Sequence, residues 1–294
     1  MGRTNRLNAA SVAHAQLAAE MTAKAAQEAL SKVGIDVIVL KGPHLASEFY
    51  DDPSQRRYCD LDLLVKPPAF SRAIEALAAR RFNVSPGLSS RRATMRDYYC
   101  AHLASPFGVS VELHRAFAGH DRYPVDLDGV FARATPFRLG SVQVLGLGAE
   151  DLLLHLCIHM AKSYFRVEKK HVKDIALVMA KRPVEWRGFL DLVGRARCTA
   201  GAWYALNAAV EQYGAVVPEH VTSALAPAGL RRWWLDRFLM NSEFPICRRV
   251  NYGIGTVQLA VGLALMDRVD AWGPIALKYA RTRVQDALLA TEHR

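Results

Sequence analysis

The sequence predicts an α+β protein, with a small mixed or antiparallel sheet and flanking helices followed by an all-helical domain. Short apolar runs with strand-like alternation are confined to the first half of the 294 residues. From Gly148 onward helical periodicity replaces them. We therefore predict two domains, residues 1–147 and 148–294. With 51% hydrophobic and 22% charged residues, the chain has the composition of a globular protein and the length for both.

The predicted elements follow one another in a simple order. They are a helix over 8–33, a strand over 36–40, a short helix over 44–50, an acid-bearing strand over 60–65, and a helix after Pro67-Pro68. Turn residues then predict two hairpins, 98–103 with 108–114 and 136–139 with 142–145. In the second half Glu150 and Asp151 mark the first turn of a helix. The prolines that divide the later helices are Pro183, Pro218, Pro227, Pro245 and Pro274.

The acid-bearing strand carries the first functional signal. Because side chains alternate along a strand, Asp60 and Asp62 point to one face and Leu61 and Leu63 to the other. Two adjacent carboxylates repel, so such a pair implies a counter-ion, for which a divalent metal is the usual choice. A solvated edge strand is the ordinary alternative for an Asp-x-Asp pair. The pair is thus a candidate metal site for phosphoryl or nucleotidyl transfer.

Two other segments support that interpretation. The strand ending at Leu40 runs into Lys41-Gly42-Pro43 and a helix, where a phosphate can approach the glycine backbone beside a positive charge. Further on, alternation places Glu112 and His114 on one face of another strand. Three carboxylates from two neighbouring strands would suit a two-metal site, with one free to act as general base.

The helical half contributes weaker candidates. His155 and His159 lie four residues apart and share a helix face, although apolar neighbours favour partly buried, hydrogen-bonded histidines over metal ligands. A basic stretch that includes Lys162 and Lys173 is suited to a triphosphate or an acidic acceptor, with a solvated helix face as the alternative. Asp174 is a candidate for a salt bridge across the domain boundary or for local charge compensation.

The order of Leu40-Lys41-Gly42, a helix, Arg56-Arg57, the run Asp60 to Val65, and Glu112-Leu113-His114 resembles the DNA polymerase β-like nucleotidyltransferase superfamily. Within it the chain is most similar to the bacterial family of uncharacterised nucleotidyltransferases. The resemblance covers roughly residues 30 to 180. It implies a nucleotidyltransferase core in the first domain.

The resemblance also assigns residues. It implies that Asp60, Asp62 and Glu112 bind Mg²⁺, with Mn²⁺ as an alternative, and take part in catalysis. It implies nucleotide binding by Lys41, Gly42 and Pro43, with Arg56 or Arg57 contacting phosphate or bracing the loop, and it places His159 near the nucleotide or the acceptor. Lys162 and Lys173 of the basic stretch are further nucleotide-binding candidates. Proline at position 43 departs from the superfamily, since it lacks the backbone N–H that a phosphate would otherwise use.

Composition sets further bounds. The net charge of +10 is spread over the chain and favours polyanionic ligands without choosing among them. Five cysteines without a Cys-x-x-Cys pair argue against a disulfide framework or a structural zinc site, and they fit a cytoplasmic location. We see no signal peptide, and the apolar run over 257–266 is too short to span a bilayer and is interpreted as a buried helix. With no recognisable nucleic-acid module, stable nucleic-acid binding is not expected.

The leading hypothesis is a Mg²⁺-dependent enzyme that transfers a nucleoside monophosphate from an NTP to an unidentified small-molecule, peptide or protein acceptor, releasing pyrophosphate. The alternative is a catalytically silent nucleotide-binding or interaction protein on the same scaffold, which the Gly42-Pro43 sequence mildly favours. A third hypothesis, a ribonuclease or antitoxin-type module, leaves the paired acids unexplained. The acceptor, the nucleobase and the oligomeric state stay open.

Overall fold

The structure is a computed structural model that describes residues 2–84, 99–119, 122–239, 255–267, 270 and 272–273. In the first half the elements are α1 (Gly2–Ser31), β1 (Ile38–Val39), α2 (Pro43–Phe49), β2 (Asp60–Leu64), α3 (Phe70–Ala78), β3 (Asn83–Val84), β4 (Cys100–Ala104), β5 (Ser110–His114), α4 (Leu127–Ala132), β6 (Thr135–Leu139) and β7 (Val142–Gly146). In the second half they are α5 (Ala149–Lys162), α6 (Lys169–Lys181), α7 (Trp186–Arg195), α8 (Thr199–Tyr213), α9 (Glu219–Leu225), α10 (Gly229–Leu239) and α11 (Gly255–Ala264).

The strands form a seven-stranded mixed sheet in the order β3-β4-β5-β2-β1-β7-β6. β2 pairs with β5 and β1 pairs with β7 in parallel, and the other neighbours are antiparallel. The two antiparallel hairpins are the β4–β5 and β6–β7 pairs that the turn residues predict. Together with the helices after residue 148, this sheet confirms the predicted α+β class.

Alternation along the strands gives the sheet two apolar faces. On one face Val39, Leu61 and Leu63 pack in a cluster with residues of α1 and α3, including Leu30 and Ile74. On the other face Ile38, Leu40 and Leu64 join a larger cluster that contains Leu152, Leu156 and Ile175 of α5 and α6. The helical half is therefore packed on the sheet, and the two halves share one hydrophobic core.

Some elements differ from the prediction. β1 covers only Ile38–Val39, although the apolar run over 36–40 predicts a longer strand. The short helix α4, which Asp126 caps by accepting a hydrogen bond from the Gly129 amide, was not predicted. Pro183, Pro218 and Pro227 lie between or at the ends of helices as predicted. Pro245 and Pro274 lie outside the described residues.

The cysteines and the apolar helices were the subject of two further predictions. Cys59, Cys100, Cys157 and Cys198 are free thiols, and Cys247 lies outside the described residues. Over the part of the chain that the structure describes, no helix combines the length and the apolar character required to cross a bilayer.

Candidate active site

The three predicted carboxylates come together on the sheet face that meets the helical half. In the parallel β2–β5 ladder Asp62 lies opposite Glu112, and Asp60 lies two residues earlier on the same face. Leu64, the next residue on that face, belongs to the core shared with α5 and α6. Asp62 is buried, whereas Asp60 and Glu112 are partly accessible. The site is thus a row of acids with one buried and two accessible members.

Basic side chains hold the buried acid. The Lys41 ammonium donates to Asp62 Oδ2 at 2.8 Å. His114 Nε2 lies 3.0 Å from Asp62 Oδ1 and 3.3 Å from Glu112 Oε2, so one ring nitrogen bridges two carboxylates. His102 Nδ1 lies 3.5 Å from Glu112 Oε1. The chain itself therefore compensates much of the negative charge of Asp62 and Glu112.

The pKa values follow from these contacts. Burial opposes ionisation of Asp62, but the hydrogen bond from His114 and the charge of Lys41 lower its pKa overall. The hydrogen bond from His114 also lowers the pKa of Glu112. Asp60 behaves in the opposite way, since burial and then the charge of Asp62 raise its pKa. A cation placed beside Asp60 would relieve that repulsion, so oxygen ligands of this kind fit a hard divalent metal such as Mg²⁺.

The segment from Lys41 to Pro43 connects β1 to α2 next to the acids. Gly42 has φ 54° and ψ −102°, a conformation that L-residues rarely adopt, and a Cβ there would lie 3.5 Å from Tyr58 Cβ. Pro43 occupies the first turn of α2 and is buried. The His44 amide already donates to the Lys41 carbonyl at 3.3 Å. The turn therefore offers a phosphate fewer free backbone N–H groups than the prediction for Lys41-Gly42-Pro43 implies. The Lys41 side chain is the main cationic group of this turn.

α5 supplies a second cation and two neutral histidines. The Lys162 Nζ contacts the Phe117 carbonyl at 3.4 Å and lies 5.3 Å from the centre of the Tyr99 ring. Burial and then the charge of Lys41 lower the pKa of Lys162. Burial also holds the pKa values of His155 and His159 well below their usual range. Lys162 is thus a cation near the acids that an anionic ligand would stabilise.

The two helical histidines differ from the prediction in their hydrogen bonding. Both ring nitrogens of His155, and Nδ1 of His159, lack a hydrogen-bond partner among the described residues. The His155 ring packs edge-on to Phe117 at 4.6 Å, and the His159 ring stacks on His171 at 5.0 Å. The sequence predicts burial correctly, but aromatic packing takes the place of the expected hydrogen bonds.

Arg56 and Asp174 form a buried ion pair between the two halves. Arg56 Nε lies 2.8 Å from Asp174 Oδ1, Arg56 Nη2 lies 2.8 Å from Oδ2, and the Tyr50 hydroxyl donates to Oδ1 at 2.9 Å. Arg56 also donates to the Arg57 carbonyl at 2.8 Å. Of the two roles predicted for Arg56, bracing the loop before β2 is the one these contacts support. The predicted salt bridge of Asp174 across residue 148 is confirmed.

Two further predicted nucleotide ligands lie around this pair. Lys173 Nζ lies 5.0 Å from the centre of the Tyr50 ring, next to Asp174. Arg57 is exposed and lines a cavity of about 180 Å³ together with Tyr58 and Gln16 of α1. The structure therefore brings Lys41 and Lys162 toward the carboxylates, stacks His159 on His171, and places Arg56 and Lys173 in a neighbouring structural cluster.

Three residues of the site have positions or contacts that the sequence did not predict. The sequence placed His114 beside Glu112 but did not predict its bridge to Asp62. His102 and Cys100 were not predicted as site residues. They face Glu112 and His114 across the β4–β5 ladder. The predicted hairpin could have identified both residues, because the register of its two strands sets Cys100 opposite His114 and His102 opposite Glu112.

Comparison with known proteins identifies the family to which the chain is similar. A family model described as uncharacterised nucleotidyltransferase matches residues 4–214, which confirms the resemblance read from the motifs. The solution structure of the antibiotic-resistance factor ANT(2'')-Ia is 11% identical and covers 66% of this chain and 95% of its own, with a TM-score of 0.40. The crystal structure of an antigenic nucleotidyltransferase-like protein from Paracoccidioides brasiliensis is 16% identical and covers 71% of this chain and 91% of its own, with a TM-score of 0.40. No curated protein matches the sequence.

Proposed function

This chain belongs to the uncharacterised nucleotidyltransferase family, and we propose that it transfers a nucleoside monophosphate from an NTP to an acceptor nucleophile, releasing pyrophosphate. The observation that carries the proposal is the β2–β5 register, which sets Glu112 beside Asp62 on the face that also carries Asp60. Three carboxylates in one row next to Lys41 and Lys162 match the requirements of phosphoryl chemistry, which depends on positioned charge.

Each group has a role in this proposal. Asp60, Asp62 and Glu112 would hold Mg²⁺, with Mn²⁺ as the alternative, and the bound ion would neutralise phosphate charge and polarise the reacting phosphorus. Lys41 and Lys162 would contact phosphate oxygens, with His159 lining the same side. Glu112, which is partly accessible, would help to activate the acceptor hydroxyl. Arg56 would keep the loop before β2 in place through Asp174.

A silent nucleotide-binding protein on the same scaffold is the second candidate. Both Asp62 oxygens are already bonded, one to Lys41 and one to His114. Pro43 provides no amide for a phosphate. These two features favour a site that binds a nucleotide without transferring it.

One experiment separates the two candidates. The protein is mixed with Mg²⁺ and each NTP, with a metabolite and peptide extract as the source of acceptors. Binding is measured by calorimetry and turnover by pyrophosphate release. We expect both binding and release, and we expect Asp60→Asn to abolish release while the melting temperature stays within a few degrees.

The control is Asp36→Asn, which removes an exposed carboxylate before β1 and should leave release unchanged. Binding without release in every extract would support the silent alternative. Full activity of the Asp60→Asn variant would refute the catalytic assignment.

A further inference from the structure

A second group of metal-ligating side chains lies beside the carboxylates. In the antiparallel β4–β5 ladder Cys100 is paired with His114 and His102 with Glu112, so all four share one face. Ligand atoms of Cys100, Glu112 and His114 all lie within 4.8 Å of one another. The ladder therefore gathers a thiol, an imidazole and a carboxylate at one point.

The chemistry of this group differs from that of the row of acids. A thiolate, an imidazole and a carboxylate form a ligand set that Zn²⁺ prefers, whereas Mg²⁺ prefers oxygen ligands alone. Cys100 and His114 are both buried, which favours a closed site. His114 is bonded through Nε2, and its buried Nδ1 has no hydrogen-bond partner within the described ranges. One ring nitrogen can thus bind a cation while the ring keeps a polar contact through the other.

His102 lies next to these three residues and can supply a fourth ligand. Its side chain is half exposed, its Nε2 lies 3.9 Å from Cys100 Sγ, and its Nδ1 lies 3.5 Å from Glu112 Oε1. Because it is the most accessible of the four, a small side-chain rotation can bring it onto a cation held by the other three. The absence of a Cys-x-x-Cys spacing does not bear on such a site, since strand pairing rather than local spacing brings its ligands together.

We propose that Cys100, Glu112 and His114, with His102 as fourth ligand, form a site for Zn²⁺ or a similar thiophilic divalent cation. Binding of the ion displaces the thiol proton, which passes to solvent. The site shares Glu112 with the row of acids and draws on His114, which otherwise bonds Asp62. Zn²⁺ held there competes with Mg²⁺ for Glu112 and inhibits nucleotidyl transfer; only this inhibition rests on the proposed function, whereas cation binding does not.

Cobalt provides the test, because Co²⁺ takes the place of Zn²⁺ and shows a thiolate-to-metal charge-transfer band in the near ultraviolet. The intact protein is titrated with Co²⁺ in excess Mg²⁺, and bound Co²⁺ is then displaced with Zn²⁺. We expect the band in the wild-type protein and its loss in Cys100→Ser, with affinity lowered by at least about tenfold. His102→Ala should weaken binding and keep the band.

Two controls separate this site from the catalytic one. Cys59→Ser removes an exposed thiol next to β2 and should leave the band unchanged. Asp60→Asn should also keep the band, because Asp60 belongs to the row of acids alone. A protein that shows the band but never releases pyrophosphate would refute the proposed reaction and leave the cation site standing.

Several results would contradict the proposed cation site. A band that survives in Cys100→Ser, or that disappears in Cys59→Ser, assigns the thiolate to another cysteine. If Cys100→Ser does not fold, the zinc X-ray absorption spectrum of the wild-type protein decides: one sulfur neighbour supports the site, and oxygen or nitrogen neighbours alone refute it.

Discussion

At the scale of single residues, Lys41 and His114 are the two basic partners of Asp62. Each donates to one carboxylate oxygen of a side chain that is almost fully buried. Replacing Asp62 would remove the carboxylate that Lys41 bonds and leave His114 with Glu112 alone, so loss of activity in such a variant would mix chemistry with instability. Asp60, which is less buried, is therefore the more informative position for substitution.

Lys162 allows a direct test of phosphate binding. Its nearest polar contact is a carbonyl at 3.4 Å, and no carboxylate within the described part of the chain forms a salt bridge with it. We predict that Lys162→Met weakens binding of the Mg²⁺–NTP complex by about tenfold, which corresponds to about 1.4 kcal/mol. Calorimetry measures this change. Lys169→Met, which removes an exposed charge from α6, is the control and should bind NTP normally.

His44 predicts a pH dependence of stability that is separate from the site. It is buried between the rings of Phe49 and Phe137, and burial followed by the charge of Arg182 lowers its pKa from the ordinary value of 6.5 to about 3. A lowered histidine pKa means that the unfolded chain binds the proton more readily. The stability that His44 contributes is therefore complete above pH 6.5 and is lost as the pH falls toward 3.

We predict that His44→Leu flattens this dependence by up to about 1.4 kcal/mol per pH unit over that range. Urea unfolding at several pH values measures the slope. His220→Leu, on the exposed side of α9, should leave the slope as in the wild type. Equal slopes in the wild type and His44→Leu would show that His44 is not buried as a neutral ring.

At the scale of elements, sequence patterns predict whichever segments have strong local signals. The β4–β5 hairpin follows from its turn residues, and α5 begins at Ala149, where Glu150 and Asp151 mark a first turn. The sequence did not predict that β1 covers only Ile38–Val39: residues 36 and 37 lie outside the strand, and Leu40, whose amide still donates to the Asp62 carbonyl at 3.0 Å, leads into the Lys41-Gly42 turn. The two acid-bearing strands were expected to be neighbours, but their parallel direction and register were not predicted, since a register between distant segments is fixed by packing.

In the candidate site, too, local motifs predicted individual residues but not the pairings between distant segments. Asp60, Asp62, Glu112 and Lys41 were predicted from motifs, whereas the bridge by His114 requires the β2–β5 register. The sequence left two roles possible for Arg56, contacting phosphate or bracing the loop, and its ion-pair partner decides between them. Its partner is Asp174 of α6, 118 positions away in sequence. Local patterns therefore identified the charges of the site but not which of them neutralise one another.

The Arg56–Asp174 pair links the loop before β2 to α6, so it should matter for stability more than for binding. The exposed fractions of the two side chains are 3% and 0%. We predict that Arg56→Met lowers the free energy of unfolding by about 3–5 kcal/mol, because it leaves a buried carboxylate with only the Tyr50 hydroxyl. Urea unfolding measures this value.

A double-mutant cycle with Asp174→Leu tests the coupling. The double variant should lose less unfolding free energy than the two single variants lose together. Each single variant leaves one buried charge without its partner, whereas the double variant leaves none. Lys66→Met is the surface control: the Lys66–Asp128 pair is exposed, and its loss should cost no more than about 1 kcal/mol. Additive effects in the Arg56–Asp174 cycle would contradict a direct ion pair.

At the scale of the whole molecule, the shared core determines how far the two halves are independent. The predicted division at residues 147 and 148 follows the change from strands to helices along the chain. In space, however, Ile38, Leu40 and Leu64 of the sheet pack in one cluster with Leu152 and Ile175 of the helices. The acids lie on the sheet face that carries this cluster, and Asp62 is buried there.

We therefore predict that a fragment of residues 1–147 does not unfold cooperatively by itself. Its sheet would keep α1 and α3 on one face, and the apolar residues of the other face, together with Phe49 of α2, would be exposed to water. The fragment should bind the dye ANS and lack a sharp thermal transition in circular dichroism. Fragment 1–214, which retains α5 to α8, is the comparison and should unfold cooperatively with less dye binding. A sharp transition in fragment 1–147 would show that the α/β half is an autonomous domain, and that its acids keep their arrangement without the helices above them.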